Sequence, residues 1–369
     1  MNLHCASCHT PFNLGDRFCE ECGVSLAMAQ TATQLVQTVG QTNLKSVSDS
    51  NPSSNQNSTQ IPCIKCNSLD IDIDGFCNQC GHRNPIARDH QEVVFYANFA
   101  AISDRGIRHS RNEDAFAIDR LPDGTHVLVV CDGVSSSTDP GSASSLASQT
   151  ACQSIVHDLN QDVSPDIALK NAIAQASTAV TDLGHHLKAA GEPPSTTIVC
   201  AIVLPPTSPS VAIHLAWVGD SRAYWLSDSA SQGSIALTQD HSWMNEVVAS
   251  GEMTLAEAEA SPNAHAITRW LGADTHSDEG ESHDEPSFAQ HIVTQPGRLM
   301  VCSDGLWNYA PAPIALRELM HSDLIHEDSM HQLPTDRDTI HQIKHCLNFA
   351  LECGGQDNIT IAVLNIPDQ

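Results

Sequence analysis

Two stretches of the chain repeat one cysteine spacing, and that spacing leaves them little choice of fold. Cys5, Cys8, Cys19 and Cys22, and again Cys63, Cys66, Cys77 and Cys80, follow Cys-x2-Cys, ten residues, Cys-x2-Cys, Gly. Segments this short hold almost no apolar core and need a staple to outweigh the entropy of ordering. Each Cys-x2-Cys turn puts two thiolates on one side of a tight knuckle, and two knuckles can close a tetrahedron round one Zn2+. Disulfides or plain packing are the alternative, and recurrence of all eight cysteines at equal spacing argues against them.

Both copies resemble the zinc-ribbon family, specifically the double zinc ribbon at the ends of bacterial regulatory proteins, with the first ribbon at 1–24 and the second at 61–84. The resemblance implies two structural Zn2+ ions, because four thiolates leave no coordination position open, and modules that bind protein rather than catalyse. Residues 25–60 are rich in Gln, Ser, Thr and Asn and read as a flexible linker. The remaining cysteines, Cys131, Cys152, Cys200, Cys302, Cys346 and Cys353, mostly lie in apolar runs and carry no assigned chemistry.

The formal charge of -27, from 17 Lys+Arg against 44 Asp+Glu, repels polyanions, so neither nucleic acid nor an anionic membrane is expected as a partner. The start MNLHCASC has no basic segment leading into an apolar one, and the longest apolar run, Ile198 to Leu204, is too short to span a bilayer. These features predict a cytoplasmic protein, in which thiols stay reduced.

From about Phe95 the pattern changes to short β-rich runs (HVLVVCDG, STTIVCAIVL, VAIHLAWVGD, RLMVCSDG, NITIAVL) between amphipathic stretches near 142–159, 164–190, 310–321 and 337–352. Strict βαβ alternation is absent. Runs 195–204 and 211–219 are joined by a Pro-containing turn, which predicts antiparallel hairpins and a layered α+β fold. Loops are expected at 227–233 and 274–287.

Acidic residues stand where those runs begin or end: Asn112-Glu113-Asp114 before AFAI, Asp132-Gly133 after HVLVVC, Asp304-Gly305 after RLMVCS, and Asp357-Asn358 before ITIAVL. An Asp at a strand end sits on rigid backbone, and several can converge on hard, oxygen-preferring cations such as Mg2+ or Mn2+. A following Gly permits close approach of the backbone and its carbonyl to a cation. Turn formation explains any one Asp-Gly; four beside apolar strands are harder to dismiss.

With those residues in place, SDRGIRHSRNEDAF, VCDG, STT, WVGDSRAY, LTQDHSW, ITRWLG, VCSDGLW and GGQDNITIAV resemble the ordered motifs of the metal-dependent protein phosphatase family (PPM, type 2C, bacterial type) over roughly residues 98–365. The resemblance implies a four-layer αββα sandwich over 95–367, preceded by the two small zinc ribbons. It implies a hydrolase of phosphoserine and phosphothreonine proteins, with a binuclear Mn2+/Mg2+ centre and a metal-activated bridging water. Carried onto this sequence, Asp132 bridges both cations, Asp114 and the Gly133 carbonyl serve one, Asp304 and Asp357 hold the other, and Glu113 acts through water. Asp220 matches the position that, with Asp304, holds a weaker third cation in bacterial members; a plain turn role is nearly as good an account. No covalent phospho-enzyme is needed, so the serines after Asp132 read as loop and helix-capping residues, and Asn358 as a support for its turn or for Asp357.

The match departs from the family in two places. Where members carry a phosphate-gripping Arg, this chain has His109 between Arg108 and Arg111; either Arg108 takes over after a small register shift, the favoured reading, or His109 donates in its place and substrate affinity is lower. The usual Asp-Gly-x-Gly-Gly loop reads DGVSSSTDPGS, with Val134 where eukaryotic members have a His. His241 to Ala260 resembles a helical flap over the site, with Gly251 as a hinge. The partners implied are phosphorylated proteins, a Ser/Thr kinase or its substrates. A second reading is a phosphoprotein-binding pseudophosphatase with little or no turnover.

Overall fold

Alternation of side chains along the apolar runs divides them between cores on opposite faces, and that division produces four layers. The computed structural model describes residues 3–4, 11–12, 62–72, 75–187, 191–207, 210–229, 233–272, 283–322 and 339–368. The chain forms two compact units, Met1–Gln60 and Ile61–Gln369. In the first, Leu3–His4 pairs antiparallel with Pro11–Phe12. Cys5, Cys8, Cys19, Cys22 and the 25–60 linker lie outside the described residues, as do parts of the 227–233 and 274–287 loops.

The second unit opens with the four-cysteine module and continues into strands β1 (His90–Tyr96), β2 (Phe99–Asp104), β3 (Asp114–Arg120) and β4 (His126–Asp132). Two long helices follow, α1 (Pro140–Leu159) and α2 (Pro165–Leu187), then β5 (Ile198–Val203), β6 (Val211–Val218), β7 (Arg222–Ser227) and the short β8 (Ile235–Ala236). After α3 (Trp243–Ala249) and α4 (Leu255–Glu259) come β9 (Ser287–Val293), β10 (Gly297–Cys302), α5 (Asp304–Trp307), α6 (Pro313–Ser322), α7 (Thr339–Glu352) and β11 (Ile359–Ile366).

Strands order as β8-β7-β10-β11-β2-β1 in a six-stranded sheet and β9-β6-β5-β4-β3 in a five-stranded one, with every pairing antiparallel among the described residues. The expected hairpin is β5 on β6, with Ile198 opposite Val218. On β4, Val127, Val129 and Cys131 face the small residues Ala143, Ala147 and Ala151 of α1, which let the helix lie close to the sheet. Leu128 and Val130 instead join Phe99, Leu299, Val301 and Leu364 between the sheets. Ile102, Met300 and Ile361 of the six-stranded sheet pack against Leu316, Met320, Ile343 and Leu347 of α6 and α7. This is the αββα arrangement of an α+β fold.

The larger sheet begins at His90, ahead of the boundary expected at 95. β1 is an edge strand whose Val93, Val94 and Tyr96 are exposed, so it lacks the apolar periodicity that marks the other strands.

Candidate metal centre

Register brings the first two carboxylates together. Asp114 opens β3 and Asp132 closes β4, and the two are directly opposite across that antiparallel pair. The other sheet supplies Asp304, at the start of α5 just past β10, and Asp357, just before β11. Strand ends of both sheets therefore aim carboxylates at one place.

Burial, with the crowding of like charges added to it, raises their pKa values. Burial first, then the charges of Asp114, Asp304, Asp357 and Asp220, hold Asp132 well above the usual carboxylate range. Burial pushes Asp114 up to about 7, with Asp357 and Asp304 adding repulsion. Asp304 rises to about 6, again through burial and then Asp357, and Asp220 to about 8 through burial and Asp304.

Neighbours hold some of these oxygens and leave others bare. Ser303 Oγ donates to Asp114 Oδ2 at 2.7 Å, and Asn308 Nδ2 donates to Asp304 Oδ2 at 3.0 Å. Asp114 Oδ1 and Asp304 Oδ1 are buried with no hydrogen-bond partner. A buried oxygen left so costs about 1–3 kcal/mol or more. Bare carboxyl oxygens on a hard donor set, kept protonated by burial until a cation replaces the proton, fit Mg2+ or Mn2+.

The loops are fastened to one another. Asn358 Oδ1 accepts from Glu113 N at 2.7 Å, while its Nδ2 donates to the carbonyls of Arg105 and Arg111 at 2.7 and 2.9 Å. It thereby ties the Asp357 turn to the Glu113 loop, as well as accounting for its own turn. The Glu113 carbonyl accepts from Gly133 N at 3.1 Å and from Ser144 Oγ, and its carboxylate accepts from Ser135 Oγ at 2.7 Å. A Cβ on Gly133 would lie 2.5 Å from Pro140 O, and one on Gly305 only 1.9 Å from Asn358 O. Both glycines are needed to let main chain pass main chain. The cap of α1 is Asp139, whose side chain accepts from Ser142 N, rather than one of the serines.

His109 Nε2 lies 3.3 Å from Asp357 Oδ1, whereas Arg108 is exposed and its main-chain N–H bonds Gly355 O at 3.1 Å. Asp304 and Asp220 join Arg222, Asp240, His265 and Trp307 around a cavity of about 290 Å3 that Met244 of α3 and Glu259 of α4 also line. Arg222 forks onto Asp240 at 2.8 and 2.7 Å and stacks over Trp307 at 3.5 Å. Gly251, between the two flap helices, has φ +78 and open space around it.

In the four-cysteine module, Cys63 Sγ and Cys80 Sγ are 3.6 Å apart and Cys66 Sγ and Cys77 Sγ 3.4 Å. All four sulfurs lie within 4.8 Å of one another, close to the roughly 3.8 Å edge of a tetrahedron with 2.3 Å Zn–S bonds. Both knuckles close alike, Asn67 N on Cys63 O and Gly81 N on Cys77 O, each at 2.8 Å, with Asn67 and Gly81 both at positive φ. Among the described residues no three carboxylates come as close together as these thiols. Sequence reasoning missed Ser303, Asn308, Ser144 and Arg88; only Ser303 had a signal, its place beside Asp304.

Among the described residues no helix is long and apolar enough to cross a membrane. The family described as Protein phosphatase 2C matches residues 105–333. The serine/threonine protein phosphatase PstP of Mycobacterium tuberculosis is 25% identical over 279 residues, 75% of this chain and 46% of that protein. Protein phosphatase PhpP of Streptococcus pneumoniae is 30% identical over 154 residues, 42% of this chain and 53% of that one. The serine/threonine phosphatase stp of Listeria monocytogenes is 25% identical over 279 residues, covering 71% and 93%. The chain thus spans about half the length of the first two. Among solved structures, serine/threonine phosphatase Stp1 of Staphylococcus aureus superposes with TM-score 0.54 at 23% identity over 76% of this chain and 96% of that one. The Streptococcus agalactiae serine/threonine phosphatase gives 0.55 at 22% over 75% and 99%; at such identities the likeness is one of fold. The family match spans more than half of the chain and includes the loops that carry Glu113, Asp114, Asp132, Asp220 and Asp304, so this chain belongs to the protein phosphatase 2C family.

Proposed function

We propose that the chain is a divalent-cation-dependent protein phosphatase acting on phosphoserine and phosphothreonine. The observation that carries this reading is the pair of bare buried oxygens, Asp114 Oδ1 and Asp304 Oδ1, in a cluster of mutually repelling carboxylates. Among the described residues, Asp114, Asp132 and Asp304 form no ion pair with a Lys or Arg.

Asp132 would bridge two cations, with Asp114 and the Gly133 carbonyl on one and Asp304 and Asp357 on the other; Glu113 would act through water, and Asp220 would share a third, weaker cation with Asp304. When bound, such cations lower the pKa of water and offset charge building on the phosphoryl oxygens. The chain's own contribution is placement. Ser303 orients Asp114, Asn308 orients Asp304, and Asn358 keeps the two acidic loops in mutual register, as groups that hydrogen-bond metal ligands do. His109, beside Asp357, is the donor facing the phosphate, with one N–H where a guanidinium would offer a fork. The α3–α4 flap borders the cavity lined by Asp220 and Asp304 and is suited to excluding water or admitting a peptide.

The cysteine modules would each hold one structural Zn2+ and recruit a protein partner, such as a Ser/Thr kinase or its substrates. Mn2+-stimulated phosphate release from a phosphothreonine peptide, abolished by EDTA, is the expected result. Tight peptide binding with no phosphate released at millimolar Mn2+ would instead select the pseudophosphatase reading, which the replacement of Arg by His109 favours.

A further inference from the structure

The stretch joining the second cysteine module to the sandwich is short, and its charged residues are all engaged. Asn84, buried, fastens it to the module: Oδ1 accepts from Ile64 N at 3.1 Å, Nδ2 donates to Pro62 O at 3.0 Å, and its own N–H donates to Gly75 O at 2.8 Å. Arg83 forks onto Asp89 with two 2.6 Å bonds. The Asp89 carbonyl accepts from Arg105 N at 2.8 Å, and the Arg105 guanidinium donates to the His109 carbonyl.

Arg88 reaches behind the acidic loop. Its Nε donates to Asn112 O at 2.7 Å, and its Nη2 to Gly141 O at 2.5 Å, Asp114 O at 3.2 Å and Ser144 Oγ at 3.2 Å. Asn112 Nδ2 donates back to Arg88 O at 3.1 Å. Ser144, held by Arg88, itself donates to Glu113 O. A largely buried guanidinium with no paired carboxylate is costly to desolvate, and here main-chain carbonyls of the acidic loop and of the α1 start supply its bonds. The charges of Asp114, Asp139 and Glu113 offset part of that cost.

Resting on the reading of the acidic cluster as a cation site, we propose that Arg88 is a positioning residue for the Asn112–Asp114 segment and that the state of the four-cysteine module reaches that segment through Arg83, Asp89 and Arg88. The module is then part of the phosphatase site's scaffold as well as an appendage for partners. Loosening it relaxes the grip on the main chain that carries Glu113 and Asp114, and so weakens cation binding.

The test uses the full chain, freed of divalent cations at the acidic site and titrated with Mn2+ by calorimetry and electron paramagnetic resonance. Arg88→Gln is expected to weaken Mn2+ binding about 10-fold or more, the range for groups that orient metal ligands. It should also speed amide exchange across 105–114 in the Mn2+-free protein, with Arg88→Lys recovering part of both and peptide KM unchanged at saturating Mn2+. Arg83→Gln, which leaves Arg88 in place, and Cys66→Ser should shift both readouts in the same direction by smaller factors. Equal Mn2+ affinity and exchange in wild type and Arg88→Gln overturn the positioning role. A shift in Arg88→Gln with none in Arg83→Gln or Cys66→Ser overturns the link to the module. A wild-type chain that binds no Mn2+ removes the cation-site reading itself and this inference with it, an outcome distinct from the other two.

Discussion

The four-cysteine module and the acidic cluster gather ligand groups in opposite ways. In the module, soft thiols from two neighbouring turns of one short segment crowd within 4.8 Å of each other. In the cluster, carboxylates come from the strand ends of two sheets, no three of them as close as the thiols; Asp114 and Asp304 are held by separate neighbours, each with one oxygen bare. A closed, saturated set of four suits an ion that builds structure; an open set of hard donors suits ions that must also meet a substrate. The contrast explains why the module needs only a local motif while the cluster needs a whole sandwich to assemble it.

The largest way to break the contrast is to open the closed site. Cys66→Ser with Cys80→Ser should remove one zinc equivalent and with it the roughly 10 kcal/mol that structural zinc contributes to folding a small module. Limited proteolysis should then cut within 62–84 while the sandwich stays intact; unchanged protease resistance would mean that the thiols do not hold a metal. Next, Asp304→Asn should lower Mn2+-dependent phosphate release by about 100-fold or more, or about 3 kcal/mol. Zinc content should stay constant, and turnover at the wild-type rate would remove the cluster from the chemistry.

Acidity sharpens the comparison because it acts on the two sites with opposite sign. Asp304, Asp114 and Asp220, raised to about 6, 7 and 8, keep protons in the folded chain that the unfolded chain has lost once pH passes its value of 3.8. At these three groups the folded state binds more protons across that window, so their contribution to stability falls as pH rises from about 4 through about 8. His126 and His241, which burial holds down at about 4, partly offset that fall between about 4 and 6.5. Urea midpoints in EDTA should decline between those limits and recover with Mn2+, which replaces the protons. Zinc binding by the thiols should strengthen over the same range, because thiolates form. A flat profile in EDTA would show that the carboxylates do not crowd. The smallest effect expected is that of Ser303→Ala, which leaves Asp114 Oδ2 without its donor and should cost about 1–3 kcal/mol of stability, read by the same urea midpoints.

Much of this was legible in the sequence for a physical reason that is local. Cys-x2-Cys spacing constrains a knuckle within itself, and alternation in HVLVVCDG reports a strand buried on two faces before any partner strand is known. An Asp at the end of such a run marks a rim, so Asp114, Asp132, Asp304 and Asp357 could be named from position alone. Tertiary structure decided what depends on residues far apart along the chain. It paired Asp114 with Asp132 by register, gave Asp114 the hydroxyl of Ser303, set His109 rather than Arg108 beside Asp357, and buried Arg88 against the carbonyls of Asn112, Asp114 and Gly141. It also made Gly133 and Gly305 matters of main-chain clearance. Contacts from a side chain to a distant carbonyl impose no spacing on the sequence and so leave no pattern in it, whereas knuckles and strands carry theirs in the order of neighbouring residues.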